Sequence, residues 1–415
     1  MNTQRGNSPT MLFHTLPNGI RLVFEPRKSA VTHTGLFINI GSRDERQPHE
    51  EGMAHFIEHA IFKGTARRRA HHILNRIDGV GGELNAFTTK EETCLYASAP
   101  SQHLERCLEM LADLAFHATF PQREIDREKD VVTEEIDAYR DAPSEQIGDD
   151  FEALAFEGHP LAHDILGTKR NVRRFTSQQL GDFLRRNYTT PRMVVSVVGD
   201  APFHRLVRLC EKHFGAQPAT VSAADRSTRP LFRLFNETRN RGTHQMHVVA
   251  GCQAYDAYDP RRVPFTLLCN LLGGPAMNSR LNVSIREHAG FCYTIESQYT
   301  PYSDIGLFTI YAGIDAAARD RYVDMLLKEL QRVRTTPLSP SQLRAAQRQL
   351  IGQMAMNADL ALNEMQGIGK SCMVYDKVDT LEEMRREVLA ITSQQVLEVA
   401  QDLLAPEKMS FLFEC

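Results

Sequence analysis

Gly52-Met53-Ala54-His55-Phe56-Ile57-Glu58-His59-Ala60-Ile61-Phe62 is the stretch on which the reading of this 415-residue chain turns. At about 100° per residue, a helix here puts His55 and His59 one turn apart on one face, with Glu58 beside them and Phe62 following on the same side. Met53, Phe56, Ile57 and Ala60 fall on the other face. Such a helix sinks an apolar back into a core and turns a polar stripe toward a cleft. Two imidazoles at i and i+4 can converge on one metal ion. The carboxylate between them cannot join as a third ligand without strain, and is suited to take a proton from a bound water. The competing reading is a pair of buried, hydrogen-bonded histidines. A third ligand elsewhere in the chain decides between the two.

That ligand is sought in the helical pattern over residues 123–139. With Val132 at the centre of the buried face, Ile125, Ile136 and Tyr139 lie within about 40° of it, and Glu128 and Glu135 lie on its edge. Glu134 points to the opposite side. Carboxylates at the border of an apolar face are costly unless paired, so Glu135 is the candidate third ligand and Glu134 a solvated residue. Salt bridges at the waterline are the alternative for Glu128 and Glu135. The order His-x-x-Glu-His is the inverse of the His-Glu-x-x-His zinc helix.

Outward from the helix, residues 12–16 and 20–24 around Asn18-Gly19 predict a β-hairpin, and 34–40 a third strand. Residues 83–89 and 94–99 read as strands beside a cleft and not as a phosphate loop, because the glycines at 79, 81 and 82 precede a strand and do not open a helix. Helices are expected over 70–77, 103–116, 147–155, 177–186 and 201–214, with a strand over 193–198. An Ala/Ser/Thr-rich stretch at 217–225 reads as a linker. Beyond it the order of elements returns, with strands at 247–251, 292–299, 306–312 and 409–413 and helices at 264–272, 319–333, 341–356, 360–371, 380–390 and 393–404. This predicts an internal duplication. The segment matching His55–His59 in the second copy is Phe265-Thr266-Leu267-Leu268-Cys269-Asn270-Leu271-Leu272, which has no metal set. His159 and His163 share the i, i+4 spacing, but Pro160 between them argues for a turn.

Composition narrows the function classes. A net charge of −4 with no polybasic run gives no warrant for a nucleic-acid partner, and Arg67-Arg68-Arg69 reads as a solvated face or a helix C-terminal charge pattern. Eight cysteines without a CxxC pair read as reduced, packed thiols. With a polar start at 1–10 and no apolar run long enough to span a bilayer, the expectation is a cytoplasmic protein with no membrane span.

The segments His55-Phe56-Ile57-Glu58-His59-Ala60-Ile61-Phe62-Lys63-Gly64 and Leu84-Asn85-Ala86-Phe87-Thr88, with Glu135 lying 135 − 59 = 76 residues beyond His59, resemble the pitrilysin/insulinase family of inverted-motif zinc peptidases. In size the chain is similar to the short, mitochondrial-processing-peptidase-like members. Leu271-Leu272-Gly273-Gly274, Ser279-Arg280-Leu281 and the run from Arg286 to Tyr293 extend the resemblance into the second half. It implies an α+β fold of two similar domains, each a mostly antiparallel sheet packed with helices, here 1–216 and 229–415 joined by 217–228. One Zn2+ per chain is implied, held by His55, His59 and Glu135, with Glu58 as base and Glu128 behind the ligands. Arg286 and Tyr293 are expected to anchor and polarise a peptide substrate, the strand of Asn85, Ala86 and Phe87 to pair with it, and Phe62 to line a pocket or to be plain core. A homodimer or heterodimer enclosing a chamber is expected, with Arg286 and Tyr293 acting in cis or on the partner's site. A non-catalytic subunit of such a complex, or a metal-binding protein without hydrolase activity, is the rival.

Overall fold

A computed structural model describes residues 11–220 and 226–415. The polar start at 1–10 and residues 221–225 of the expected linker lie outside the described residues. The first part of the chain runs β1 (Leu12–Thr15), β2 (Arg21–Pro26), β3 (Val31–Ile38), α1 (Met53–Ala60), α2 (Ala70–Asp78), β4 (Glu83–Thr88), β5 (Thr93–Pro100), α3 (Leu104–His117) and α4 (Gln122–Arg140). It continues through α5 (Pro143–Ala155), α6 (Lys169–Val172), α7 (Ser177–Asn187), β6 (Met193–Gly199) and α8 (Phe203–Phe214). Then follow β7 (Asn236–Arg239), β8 (Met246–Ala254), α9 (Arg262–Gly273), β9 (Cys292–Pro301), β10 (Gly306–Ile314) and α10 (Arg319–Thr335). The chain closes with α11 (Pro340–Asp359), α12 (Ala361–Tyr375), α13 (Leu381–Ala390), α14 (Ser393–Leu403) and β11 (Ser410–Glu414).

Two sheets result, with orders β1-β2-β6-β3-β5-β4 and β7-β11-β8-β10-β9. Apart from β1 they have one plan. The pair β2–β6 is parallel, as is β7–β11, and every following pair is antiparallel in both. The duplication is therefore present in the topology, and the fold is α+β. Strand β7 was not expected, because its Asn-Glu-Thr-Arg sequence carries no apolar face and its exposure fits an edge strand.

Packing divides the chain into two compact units that are not the contiguous 1–216 and 229–415 of the sequence reading. Among the described residues one contains 11–136, 163–220, 226 and 356–382, and the other 137–162, 227–355 and 383–415. The period of two along the central strands explains why. In the first unit Leu22, Phe24, Leu36 and Ile38 face a core with Phe56, Ile57, Leu108 and Leu206. Val23, Phe37, Val194 and Val198 face the other way, against Met365, Ile368 and Cys372 of α12. In the second unit Val248, Ala250 and Cys252 join the main core, while Val249 and Leu412 meet Ile147 and Phe151 of α5. A sheet apolar on both faces needs a helix on both, and sequence order does not say which helix supplies the second layer. Gly369 lets α12 come down onto the first sheet, since a Cβ there would lie 2.3 Å from the Phe37 ring.

The α12 layer brings Glu364 to Glu25 of β2, which is 3% exposed and bonded to Arg27 Nη2 at 2.9 Å. Burial, then the neighbouring Glu25, pushes the Glu364 pKa up to about 7, against the pull of Arg27. A native-state pKa above the unfolded value means the stabilising contribution is complete below the ordinary carboxyl range and disappears as pH rises through about 7. Glu364→Gln, which mimics the protonated form, is expected to raise stability at about pH 8 by about 1 kcal/mol, discounted for solvent screening, and to change little at about pH 5. Denaturant melts at the two pH values measure this, and an equal effect at both would contradict it.

Candidate metal centre

Helix α1 starts where no side chain of its own can cap it. Gly52 is the N-cap, at φ 85°, and a Cβ there would meet Leu166 O at 2.5 Å. The acceptor comes from seven residues upstream, where the buried Glu45 side chain takes the N–H of Gly52 at 3.0 Å and of Ala54 at 2.8 Å. Burial pushes its pKa well up, while the two N–H donors pull it down and Glu50 and Glu51 push it further. With Met53, Phe56, Ile57 and Ala60 buried beneath, the helix is held at its start and along its back.

On its front, His55 Nε2 lies 3.6 Å from Glu135 Oε1 and His59 Nε2 3.3 Å from Glu135 Oε2. One carboxylate on α4 thus faces both imidazoles through the same ring nitrogen. Potential ligand atoms of the three residues all lie within 4.8 Å of one another, the one such group of three among the described residues. Three ligands at about 2.1 Å from a tetrahedral ion stand about 3.4 Å apart, so the spacing suits zinc better than it suits direct hydrogen bonds. Glu135 Oε2, which points toward the His59 ring, is enclosed and makes no hydrogen bond, and an oxygen left over in this way is what a cation would satisfy.

Glu128, buried about two turns earlier on α4, touches His59 Nδ1 at 3.1 Å with Oε1 and Lys63 Nζ at 2.7 Å with Oε2. A proton on Nδ1 pointing to Glu128 leaves the Nε2 lone pair free toward Glu135. Without a cation, burial pulls the His59 pKa down, but Glu128 and Glu135 outweigh it and raise it to about 9. The contacts with His55 and His59 hold the Glu135 carboxyl well below its usual range despite burial. For Glu128 burial acts upward, and His59 and Lys63 overcome it. Glu134 is exposed.

Glu58 is half-buried and has no hydrogen bond or ion pair among the described residues. Phe62 is half-buried against the first core. Strand β4, with which α1 packs, is the edge of its sheet; there Asn85 is exposed, its side chain accepting the Ala86 N–H at 2.8 Å, Ala86 is buried, and Phe87 stacks edgewise on Phe37. Arg286 and Tyr293 belong to the other unit. Arg286 sits in a π-helical segment, Asn282–His288, and donates to Asn282 Oδ1 at 3.3 Å, while Tyr293 is 87% exposed. His159 Nε2 lies 3.1 Å from Thr228 O, whereas His163 Nδ1 lies 3.5 Å from Glu51, so each has a separate partner. Sequence reasoning missed Glu45 and Lys63. Lys63, four residues after His59, was discoverable from helical spacing; Glu45 acts through a loop and left no periodic signal.

Residues 22–169 match the family described as Insulinase (Peptidase family M16), and 174–350 match the Peptidase M16 inactive domain. The chain is 33% identical over 396 residues to YmxG of Bacillus subtilis, named an uncharacterized zinc protease, covering 95% of this chain and 96% of that protein. It is 32% identical over 400 residues to an uncharacterized zinc protease of Streptomyces coelicolor, covering 94% and 86%. A protease from Helicobacter pylori has the same fold, with a TM-score of 0.89 at 21% identity over 98% of this chain and 100% of that one. So does a Pseudomonas fluorescens protein described as a peptidase M16 inactive domain, with a TM-score of 0.89 at 19% identity over 97% and 98%.

Removing the acceptor at the start of α1 tests how the centre is held. Glu45→Ala leaves two enclosed N–H groups without a partner and is expected to cost about 1–3 kcal/mol, together with weaker zinc binding in a competition titration. Glu45→Gln, which keeps an acceptor oxygen, should fall between. Wild-type stability in Glu45→Ala would show that α1 does not depend on this contact.

Proposed function

The chain belongs to the insulinase family, peptidase family M16, and on that premise we propose that it is a zinc-dependent endopeptidase in which Glu58 is the general base. The observation that supports this most directly is the meeting of His55, His59 and Glu135 at near-ligand spacing, with an unpartnered Glu58 beside them on α1. The residues present fit one Zn2+: two imidazoles and a carboxylate are a catalytic zinc set that leaves a position open. When bound, the ion supplies Lewis acidity, lowering the pKa of a water and polarising the scissile carbonyl.

The chain's own residues do the rest. Glu58 takes the proton of the attacking water and returns it to the leaving amine. Glu128 fixes the His59 ring through Nδ1, and Lys63 fixes Glu128. The open edge of β4 at Asn85, Ala86 and Phe87 receives an extended peptide by backbone pairing, which gives affinity with little sequence preference. Phe62 borders the pocket for a side chain next to the cut. Arg286 anchors a substrate carbonyl and the Tyr293 hydroxyl donates to the oxygen that becomes negative; the 87% exposure of Tyr293 leaves its hydroxyl accessible for that task. Oligopeptides or targeting peptides are the substrates, and two chains pair, as a homodimer or with a related chain, so that Arg286 and Tyr293 act in cis or on the partner's site.

The match of 174–350 to a domain described as inactive concerns the half whose α9 has no metal set. It lends no weight to a non-catalytic role for residues 22–169. Among the described residues no helix is long and apolar enough to cross a membrane.

Glu58→Gln separates the readings. The variant is expected to retain one zinc per chain by elemental analysis while its kcat/KM on a mixed peptide library falls by about 10²–10⁴. Equal cleavage by variant and wild type would remove Glu58 as the base. Zinc bound by both with cleavage by neither would favour the non-catalytic subunit.

A further inference from the structure

Between α1 and α2 the chain makes a tight turn that is fixed from inside. Thr65 Oγ1 accepts the N–H of Arg67 at 3.2 Å and of Arg68 at 3.0 Å, and donates to Asp113 Oδ2 at 2.9 Å. Asp113 is fully buried. Arg68 is used up in the same way, 2.5 Å from Asp113 Oδ2 and 2.8 Å from Glu109 Oε1. Part of the Arg67-Arg68-Arg69 run is thus structural, and the solvated face expected from sequence describes only its flanks.

Those flanks line an open groove of 760 Å³. Arg67 is 57% exposed and reaches Asp113 only at 3.8 Å. Arg69 and, from the start of α4, Arg123 are exposed and have no ion pair among the described residues. His71 and His72 are exposed beside them, with ring centroids 3.7 Å apart. The single acidic side chain in the lining is Glu124, which has Arg127 at 3.4 Å. At its other end the groove includes Lys63, the residue that holds Glu128 against His59. In a chain of net charge −4, a rigid groove with this local excess of cations is a feature that composition conceals.

We propose that this groove is a specificity subsite that binds acidic side chains of the polypeptide substrate. The ligand is assigned as a carboxylate-bearing peptide for two reasons. Lys63 both lines the groove and, through Glu128, contacts the ligand residue His59, so the groove begins within two side chains of the metal centre and a polypeptide cut there can reach it. Its cations come from two separate segments, 67–72 and 123, and suit charges strung along a peptide. Arg67, Arg69 and Arg123 determine specificity and touch no reacting atom. The inference rests on the peptidase reading for its consequence in turnover, although binding can be measured without turnover.

Fluorescence anisotropy on the zinc-loaded full chain provides the test, with a labelled Glu-rich peptide and a counterpart of equal length carrying Gln in place of every Glu. The Glu-rich peptide is expected to bind about ten-fold more tightly at low ionic strength, and added salt is expected to erase the difference. In the triple variant Arg67→Ala, Arg69→Ala, Arg123→Ala, checked for wild-type melting, the two peptides should bind alike, and the ratio of their kcat/KM values should fall to about one. Equal binding of both peptides by the wild type overturns the proposal, as does a triple variant that keeps the preference. Binding of tripolyphosphate without binding of the Glu-rich peptide also overturns it, in favour of a phosphate ligand. Cleavage without acidic preference removes the subsite and leaves the peptidase reading intact. A variant-sensitive preference in binding with no cleavage of either peptide does the reverse.

Discussion

A carboxylate on α4 must stand between two imidazoles on α1, although 76 residues of chain separate Glu135 from His59. Neither helix can satisfy its polar stripe alone. His55 is buried, Glu128 is buried, and each would be costly without a partner. Bringing the stripes together converts two local liabilities into one shared cluster. The cluster remains short of a hydrogen bond at Glu135 Oε2, which is the condition under which a divalent cation gains most by entering.

The surrounding structure serves to keep that meeting in register. Glu45 pins the first turn of α1, the apolar residues beneath it hold its rotation, and Lys63 with Glu128 ties its far end to α4. Beyond Lys63, Thr65 and Asp113 lock the next turn. Fixed contacts are therefore found both behind the metal ligands and at the turn that borders the basic groove.

What could be read in advance follows from the range of each interaction. Helix periodicity placed His55, His59 and the edge carboxylates of α4, because which face a residue occupies is a local property. Period two and the return of similar elements in order indicated two sheets of one plan. Contacts that no periodicity encodes were out of reach: the Glu45 cap made through a loop, the part of the arginine run that turns inward, and the choice of α12 and α5 as second layers. Strand β7 was missed because an edge strand of Asn-Glu-Thr-Arg has no apolar side to reveal it. The eight cysteines read as packed thiols are all free, and all but Cys415 are buried.

The exchange of helices has a consequence for how the molecule can be divided. Each sheet owes one of its two coverings to sequence from the opposite half of the gene product, so a cut at the midpoint yields two fragments with one bare apolar sheet face apiece. Val23, Phe37, Val194 and Val198 would be stripped on one fragment, and Val249 and Leu412 on the other. The repeat seen in the topology is consequently not an autonomous folding module, and the two copies are obliged to mature as a single polypeptide or to find each other again before either is soluble.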